Sequence, residues 1–152
     1  MNAIEIHLAN SGDIAVIVAF NRAMAKETED RVLDETVLLE GVRAVMNDHT
    51  KGFYLLAERQ GSIVGQLMVT SEWSDWRNAD FWWIQSVYVE PTHRRQGIFR
   101  ALYAYLYAEA RKREDVCGIR LYAERENKSA HAVYLALGMQ PSHYQMFDLD
   151  FV

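Results

Sequence analysis

The stretch Ser86-Val87-Tyr88-Val89-Glu90-Pro91-Thr92-His93-Arg94-Arg95-Gln96-Gly97-Ile98-Phe99-Arg100 runs from an apolar segment through a polar turn into a helical pattern. Adjacent arginines and a glycine occupy the junction. The first N–H groups of a helix have no partner inside it and carry the positive end of its dipole. Backbone of that kind can wrap a phosphate, and a glycine admits the anion closely. Arg94, Arg95 and Arg100 add cations around the turn, a combination suited to a diphosphate. Solvated surface arginines beside a strain-relieving glycine would give the same residues. Neither a Walker phosphate loop nor a Gly-x-Gly-x-x-Gly dinucleotide turn occurs in the chain.

A second concentration of chemistry lies upstream. Trp73, Trp76, Trp82 and Trp83 fall close together with Phe81, Glu72, Asp75 and Asp80. Alternation places Phe81, Trp83 and Gln85 on one face of a strand with Val87, and Trp82, Ile84 and Ser86 on the other. Trp73 and Trp76 read as loop residues. With the nearby carboxylates they fit a cation through ring-face and charge contacts, and they fit loop packing or a dimer contact as well. Cys117 is the only cysteine, which excludes an internal disulfide and a zinc site built from cysteine pairs. It reads as a packing residue.

Composition narrows the classes further. The chain has 152 residues, 50% hydrophobic and 24% charged, the profile of one globular domain spanning 1–152. Its formal charge of −5 argues against a general nucleic-acid binder and suits a cationic substrate. No apolar run approaches the roughly 20 residues of a membrane helix. The first residues lack a signal-peptide pattern, so no membrane association and a cytoplasmic location are expected.

Several elements must position these groups. Ile4, Ile6 and Leu8 alternate as an opening strand. Ser11-Gly12-Asp13 starts a helix carrying Ile14, Ile17, Val18 and Met24, and Asp34 caps a second with Val37, Leu38, Val42, Val45 and Met46. Phe53–Arg59 and Ser62–Ser71 flank Gln60-Gly61 as a hairpin, a loop follows over 72–80, and Phe81–Val89 is a further strand. Gly97 opens a helix to about Arg113, with Ile98, Leu102, Tyr105, Leu106 and Glu109-Ala110 inward. Ile119–Ala123 is a strand, Lys128–Leu137 a helix ended by Gly138, and Tyr144–Phe151 a closing strand. The order is β-α-α-β-β-β-α-β-α-β, an α/β (α+β) arrangement with helices on both sides of a mixed sheet.

Asn127-Lys128-Ser129-Ala130-His131-Ala132-Val133-Tyr134-Leu135-Ala136-Leu137-Gly138-Met139 supplies the deciding pattern. With Arg94-Arg95-Gln96-Gly97-Ile98-Phe99 it resembles the GCN5-related N-acetyltransferase (GNAT) family. There the cofactor motif is Arg/Gln-x-x-Gly-x-Gly/Ala, and the later motif is matched by Asn127, Ala130, Tyr134, Gly138 and Met139. The resemblance covers nearly the whole chain. One departure is Phe99, which stands where the family has a small residue and whose side chain should point away from the diphosphate.

The resemblance implies a mixed, mostly antiparallel sheet and an acetyl-CoA-dependent transfer of an acetyl group to a primary amine, without a metal. It implies a strand that splays before the arginine turn, with Val87 N–H near the thioester oxygen and Val89 on the pantetheine. Arg94, Arg95, Gln96, Gly97, Phe99 and Arg100 would hold the diphosphate, and Asn127 and Ala130 would line the pantetheine. Tyr134 would protonate the departing thiolate. Some relatives carry a strand glutamate as base where this chain has Trp83, so Glu72 becomes the candidate, while Trp73, Trp76 and Gln85 are candidate substrate contacts. The acceptor would be a small-molecule or peptide amine, and an exposed closing strand makes a homodimer an expectation. Two other readings compete: a non-catalytic acyl-CoA-binding regulator, and an interaction module using the Trp-rich loop.

Overall fold

The computed structural model describes residues 3–152, in two compact units that meet at Leu121/Tyr122. In the first, β1 (Glu5–Leu8) leads through a tight turn into α1 (Ile14–Glu29). The turn is a reciprocal capping box, with Asn10 N–H on Asp13 Oδ2 at 2.9 Å and Gly12 N–H on Asn10 Oδ1 at 2.8 Å. Asp34 caps α2 (Glu35–Asn47) as expected, accepting the Val37 N–H at 3.0 Å. β2 (Phe53–Arg59) and β3 (Ser62–Ser74) join at Gln60 and Gly61, both with positive φ, the twist a two-residue hairpin needs.

β4 (Ala79–Val89), α3 (Ile98–Arg111) and β5 (Val116–Arg120) complete this unit. The sheet order is β1-β2-β3-β4-β5, antiparallel throughout except for the parallel β4–β5 pair, which α3 connects. A parallel pair requires such a crossover. Tyr54, Leu56 and Met68 face α1 and α2, packing on Ile17, Val18 and Val42. The opposite face, with Leu55, Leu67 and Val69, receives α3 through Ile98, Leu102 and Leu106. At Gly65 a Cβ would lie 2.7 Å from Ile98 Cγ2, so glycine is what lets the start of α3 seat on the sheet.

Five expectations are corrected. The loop over 72–80 is mostly strand, since β3 and β4 pair out to Ser74↔Ala79 and leave a turn of only 75–78. β5 begins at Val116, ahead of the expected start, and Cys117 falls at a register shift in the β4–β5 ladder, exposed rather than packed. The inward aromatic of α3 is Tyr103, and Tyr105 is exposed. No strand forms over 144–151: among the described residues that segment has no ladder partner, and Phe147, Leu149 and Phe151 (93%) are exposed. The second unit, from Tyr122 onward, contains α4 (Lys128–Ala136). No helix among the described residues is long and apolar enough to cross a membrane.

Candidate functional site

β4 changes character along its length. Its parallel pairing with β5 runs only from Asp80↔Val116 to Trp83↔Arg120, so residues 84–89 have β3 on one side and, among the described residues, no strand paired on the other, an open edge. Within the open half, Met68 opposes Gln85 while Gln66 opposes Tyr88, so Ser86 and Val87 together face Leu67. That is a β-bulge, with Ser86 at φ +50°.

The bulge inverts which amides face the open edge. Ahead of it Asp80 N–H points toward β5, bonding Asp115 C=O at 2.9 Å. Beyond it Glu90 N–H points toward β3, bonding Val64 C=O at 2.9 Å. By alternation the N–H groups of Val87 and Val89 face the open edge. Gln66, fully buried, holds the kink: its Nε2 donates to Ser86 C=O at 3.0 Å and to Asn21 Oδ1 at 3.3 Å.

The arginine turn divides its cations between two tasks. Arg94 is bolted in place, its Nη atoms on both carboxylate oxygens of Glu27 (2.5 and 2.8 Å), its Nε on Val89 C=O (2.9 Å) and its guanidinium over the Tyr88 ring. The Arg94 hydrogen bond outweighs desolvation and lowers the Glu27 pKa. Gln96 is also tied, accepting from Arg59 at 2.6 Å and donating to Thr92 C=O at 3.0 Å. Arg95 and Arg100 are exposed, and among the described residues neither guanidinium has a hydrogen-bond or ion-pair partner.

Arg95 and Gly97 both take positive φ, +61° and +83°, which curls the turn so that α3 starts beside it. The first rung of α3 is Ala101 N–H to Gly97 C=O at 3.0 Å, so the N–H groups of Ile98, Phe99 and Arg100 lie ahead of the helical ladder. A Cβ on Gly97 would meet nothing within 4 Å, which leaves open space above the turn. Phe99 does not fill it, since its ring leans along α3 against Tyr103, 6.3 Å between centroids. Amides at the head of a helix, its dipole and two uncommitted guanidinium groups suit a diphosphate.

The closed half of β4 is built differently. Glu72 Oε1 accepts from Trp83 Nε1 at 2.9 Å and from Arg120 Nη1 at 2.8 Å, and the Trp83 bond chiefly lowers its pKa. Arg120 lies over the Phe81 ring at 3.5 Å. Glu72 pairs across from Phe81, six residues before Val87, which is roughly 20 Å along a strand. Trp73 and Trp76 (88% exposed) lie at the far end of the hairpin. Gln85 stands beside the bulge with its Nε2 donating to Thr70 Oγ1.

In the second unit, Asn127 caps α4, its Oδ1 accepting from Ala130 N–H at 3.2 Å. Tyr134 is half-buried, and burial pushes its phenol pKa up. Among the described residues no cluster of His, Cys, Asp and Glu is disposed to hold a metal.

Val87, Val89 and 94–100 thus form one continuous site segment, while Glu72, Trp73 and Trp76 lie away from it. Sequence reasoning missed Glu27, Arg59 and Gln66. A glutamine inside the apolar run Ile63–Val69 is a visible signal for a buried polar contact. The Glu27–Arg94 pair, 67 positions apart, leaves no local trace.

The Acetyltransferase (GNAT) family profile matches residues 18–139. A crystal structure of a possible acetyltransferase from Clostridium difficile 630 shares 44% identity and a TM-score of 0.91, covering 98% of each chain. A ribosomal-protein-alanine N-acetyltransferase from Brucella melitensis biovar Abortus 2308 shares the fold at 18% identity, with a TM-score of 0.79 and coverage of 99% and 100%. An aminoglycoside acetyltransferase from an uncultured soil metagenomic sample does so at 18% identity, with a TM-score of 0.76 and coverage of 99% of each chain. No curated protein sequence matches the chain. With the family profile and the fold both matched, the chain belongs to the GNAT acetyltransferase family and is an acyltransferase.

Proposed function

We propose that the protein transfers an acetyl group from acetyl-CoA to a primary amine in a ternary complex, as one catalytic domain over 1–152 acting in the cytoplasm. The observation that carries this reading is the open edge of β4 ending in the 94–100 turn. The diphosphate would sit on the amides that open α3, between Arg95 and Arg100. The pantetheine would pair with the free edge at Val89, and Asn127 and Ala130 would line it.

The amine nitrogen attacks the thioester carbon while Val87 N–H stabilises the oxygen that gains charge. A backbone donor fixed in advance needs no reorganisation at that moment. The C–S bond then breaks, the nitrogen's surplus proton leaves to water, and Tyr134 protonates the thiolate. This assignment leaves Glu72 as a structural anion. A lowered pKa and two donors make it a poor proton acceptor, and it lies far along the strand. The apolar row Phe147, Leu149 and Phe151 supports a homodimer, which light scattering would detect.

Calorimetry with acetyl-CoA, CoA and desulfo-CoA tests the site. Wild type should bind all three, and the double variant Arg95→Glu, Gly97→Asp should bind none. Failure of wild type to bind any would sink the reading. Tyr134→Phe should leave binding intact and lower kcat about 100-fold, the usual scale of a general acid.

A further inference from the structure

Between α1, α2 and the sheet lies an open cavity of about 440 Å³, well inside the size range of small-molecule sites. Its walls are mainly apolar: Met24, Leu38, Val42, Val45 and Met68. Ser86, the kinked residue of the bulge, is part of the wall, so the cavity ends one residue from the Val87 amide. Gln66 holds Ser86 from behind, which makes this end rigid.

The polar groups present are few and mostly committed. Tyr54, buried, is hydrogen-bonded to Asn21, whose Oδ1 receives Gln66. Thr28 donates to Met24 C=O at 2.8 Å. Glu29, the last residue of α1 and exposed, is the one carboxylate on the lining. A polyamine or aminoglycoside spreads several ammonium groups and needs a carboxylate or carbonyl for each, because an unpaired buried charge is expensive. An apolar chain or ring gains by displacing water from such walls. The cavity also disfavours the ammonium form of its occupant, since desolvation destabilises a charged amine. That favours the neutral nucleophile without a dedicated base.

We propose that this cavity holds the body of the acceptor, and that the acceptor is a primary monoamine carrying one compact apolar group, alkyl or aryl, with its nitrogen directed past Ser86 to the open edge at Val87. The proposal rests on the acyltransferase reading above and deepens it.

Gly41 offers a clean test. It lies on the cavity wall within α2, and a Cβ there would meet nothing within 4 Å, so a side chain can be added at the wall without a clash at its Cβ. Acetyl-dependent CoA release is measured with 2-phenylethylamine, hexylamine, spermidine and kanamycin, for wild type, Gly41→Leu and Met24→Glu. Wild type should favour the two monoamines by about tenfold or more in kcat/KM, the scale of apolar-pocket discrimination. Gly41→Leu should cut monoamine turnover by about tenfold or more while acetyl-CoA affinity and Tm hold, since leucine is the better helix former. Met24→Glu should shift preference toward spermidine. Preference of wild type for spermidine or kanamycin overturns the proposal, as does full monoamine turnover by Gly41→Leu. Both results leave acetyl transfer standing. Failure of wild type to bind acetyl-CoA would remove the acyltransferase reading and the proposal together.

Discussion

The two halves of β4 carry the same kind of sequence and do opposite work. From Asp80 to Trp83 the strand is paired on both sides, and its polar neighbours close on one another, with Glu72 taking Trp83 and Arg120. From Ile84 to Val89 the β5 side is open, and the bulge at Ser86 turns two amides toward that opening. Apolar and aromatic side chains fill both halves. The chemistry is set by the backbone: a strand with both edges satisfied is scaffold, and one with a free edge is a template for a ligand.

The largest effect should come from removing the Val87 amide, the group of the open half that we propose as the oxyanion donor. Val87→Pro takes away an N–H that faces the open edge and not β3, so the β3 ladder survives. We expect kcat to fall roughly 100- to 1,000-fold, the cost of losing one oxyanion donor, while Val87→Ala changes it little. Equal effects of the two variants would show that the side chain matters and the amide does not.

Next comes the clamp behind the bulge. Gln66→Leu leaves Ser86 C=O without its donor, and a loosened kink should cost about 10- to 100-fold in kcat. Acetyl-CoA affinity, which the proposal places mainly at 94–100, should stay within about twofold; a parallel loss of affinity would place Gln66 in general folding support. In the closed half, Glu72→Gln should cost at most about 1 kcal/mol of stability, since the group is about half exposed, and leave kcat nearly unchanged. A large drop in kcat would restore Glu72 as the base.

The smallest effect is on pH. Glu27 and Glu72 both have folded pKa values below the ordinary 4.5, through Arg94 and through Trp83 and Arg120 respectively. A depressed carboxylate adds stability above its unfolded pKa, and that stability is lost as pH falls through the folded value. Thermal melts should therefore be flat down to about pH 5 and decline below 4.5, less so in the double variant Glu27→Gln, Glu72→Gln. An unchanged slope in that variant would show that both ion pairs contribute nothing.

Much of this was legible from residue order. Asp34 as a cap, the Gln60-Gly61 hairpin, Gly97 at the head of α3 and Gly138 beyond α4 were readable because each depends on a few neighbouring residues. What failed was decided at a distance. The segment 72–80 looked like a loop because its residues are polar and aromatic, yet cross-strand pairing carries β3 and β4 through it. Alternation in Tyr144–Phe151 is strand-like, but a strand exists only where another offers its ladder.

The sequence by itself determined the family, the arginine turn and the helix that opens behind it, since those reside in contiguous motifs whose backbone preferences are local. Only the tertiary structure decided which arginine is free: Glu27 takes Arg94 and leaves Arg95 and Arg100 uncommitted. It alone placed Gln66 under Ser86 and set an apolar cavity against the bulge. Partners so far apart in the chain are brought together by packing, and packing is not written in any single stretch of it.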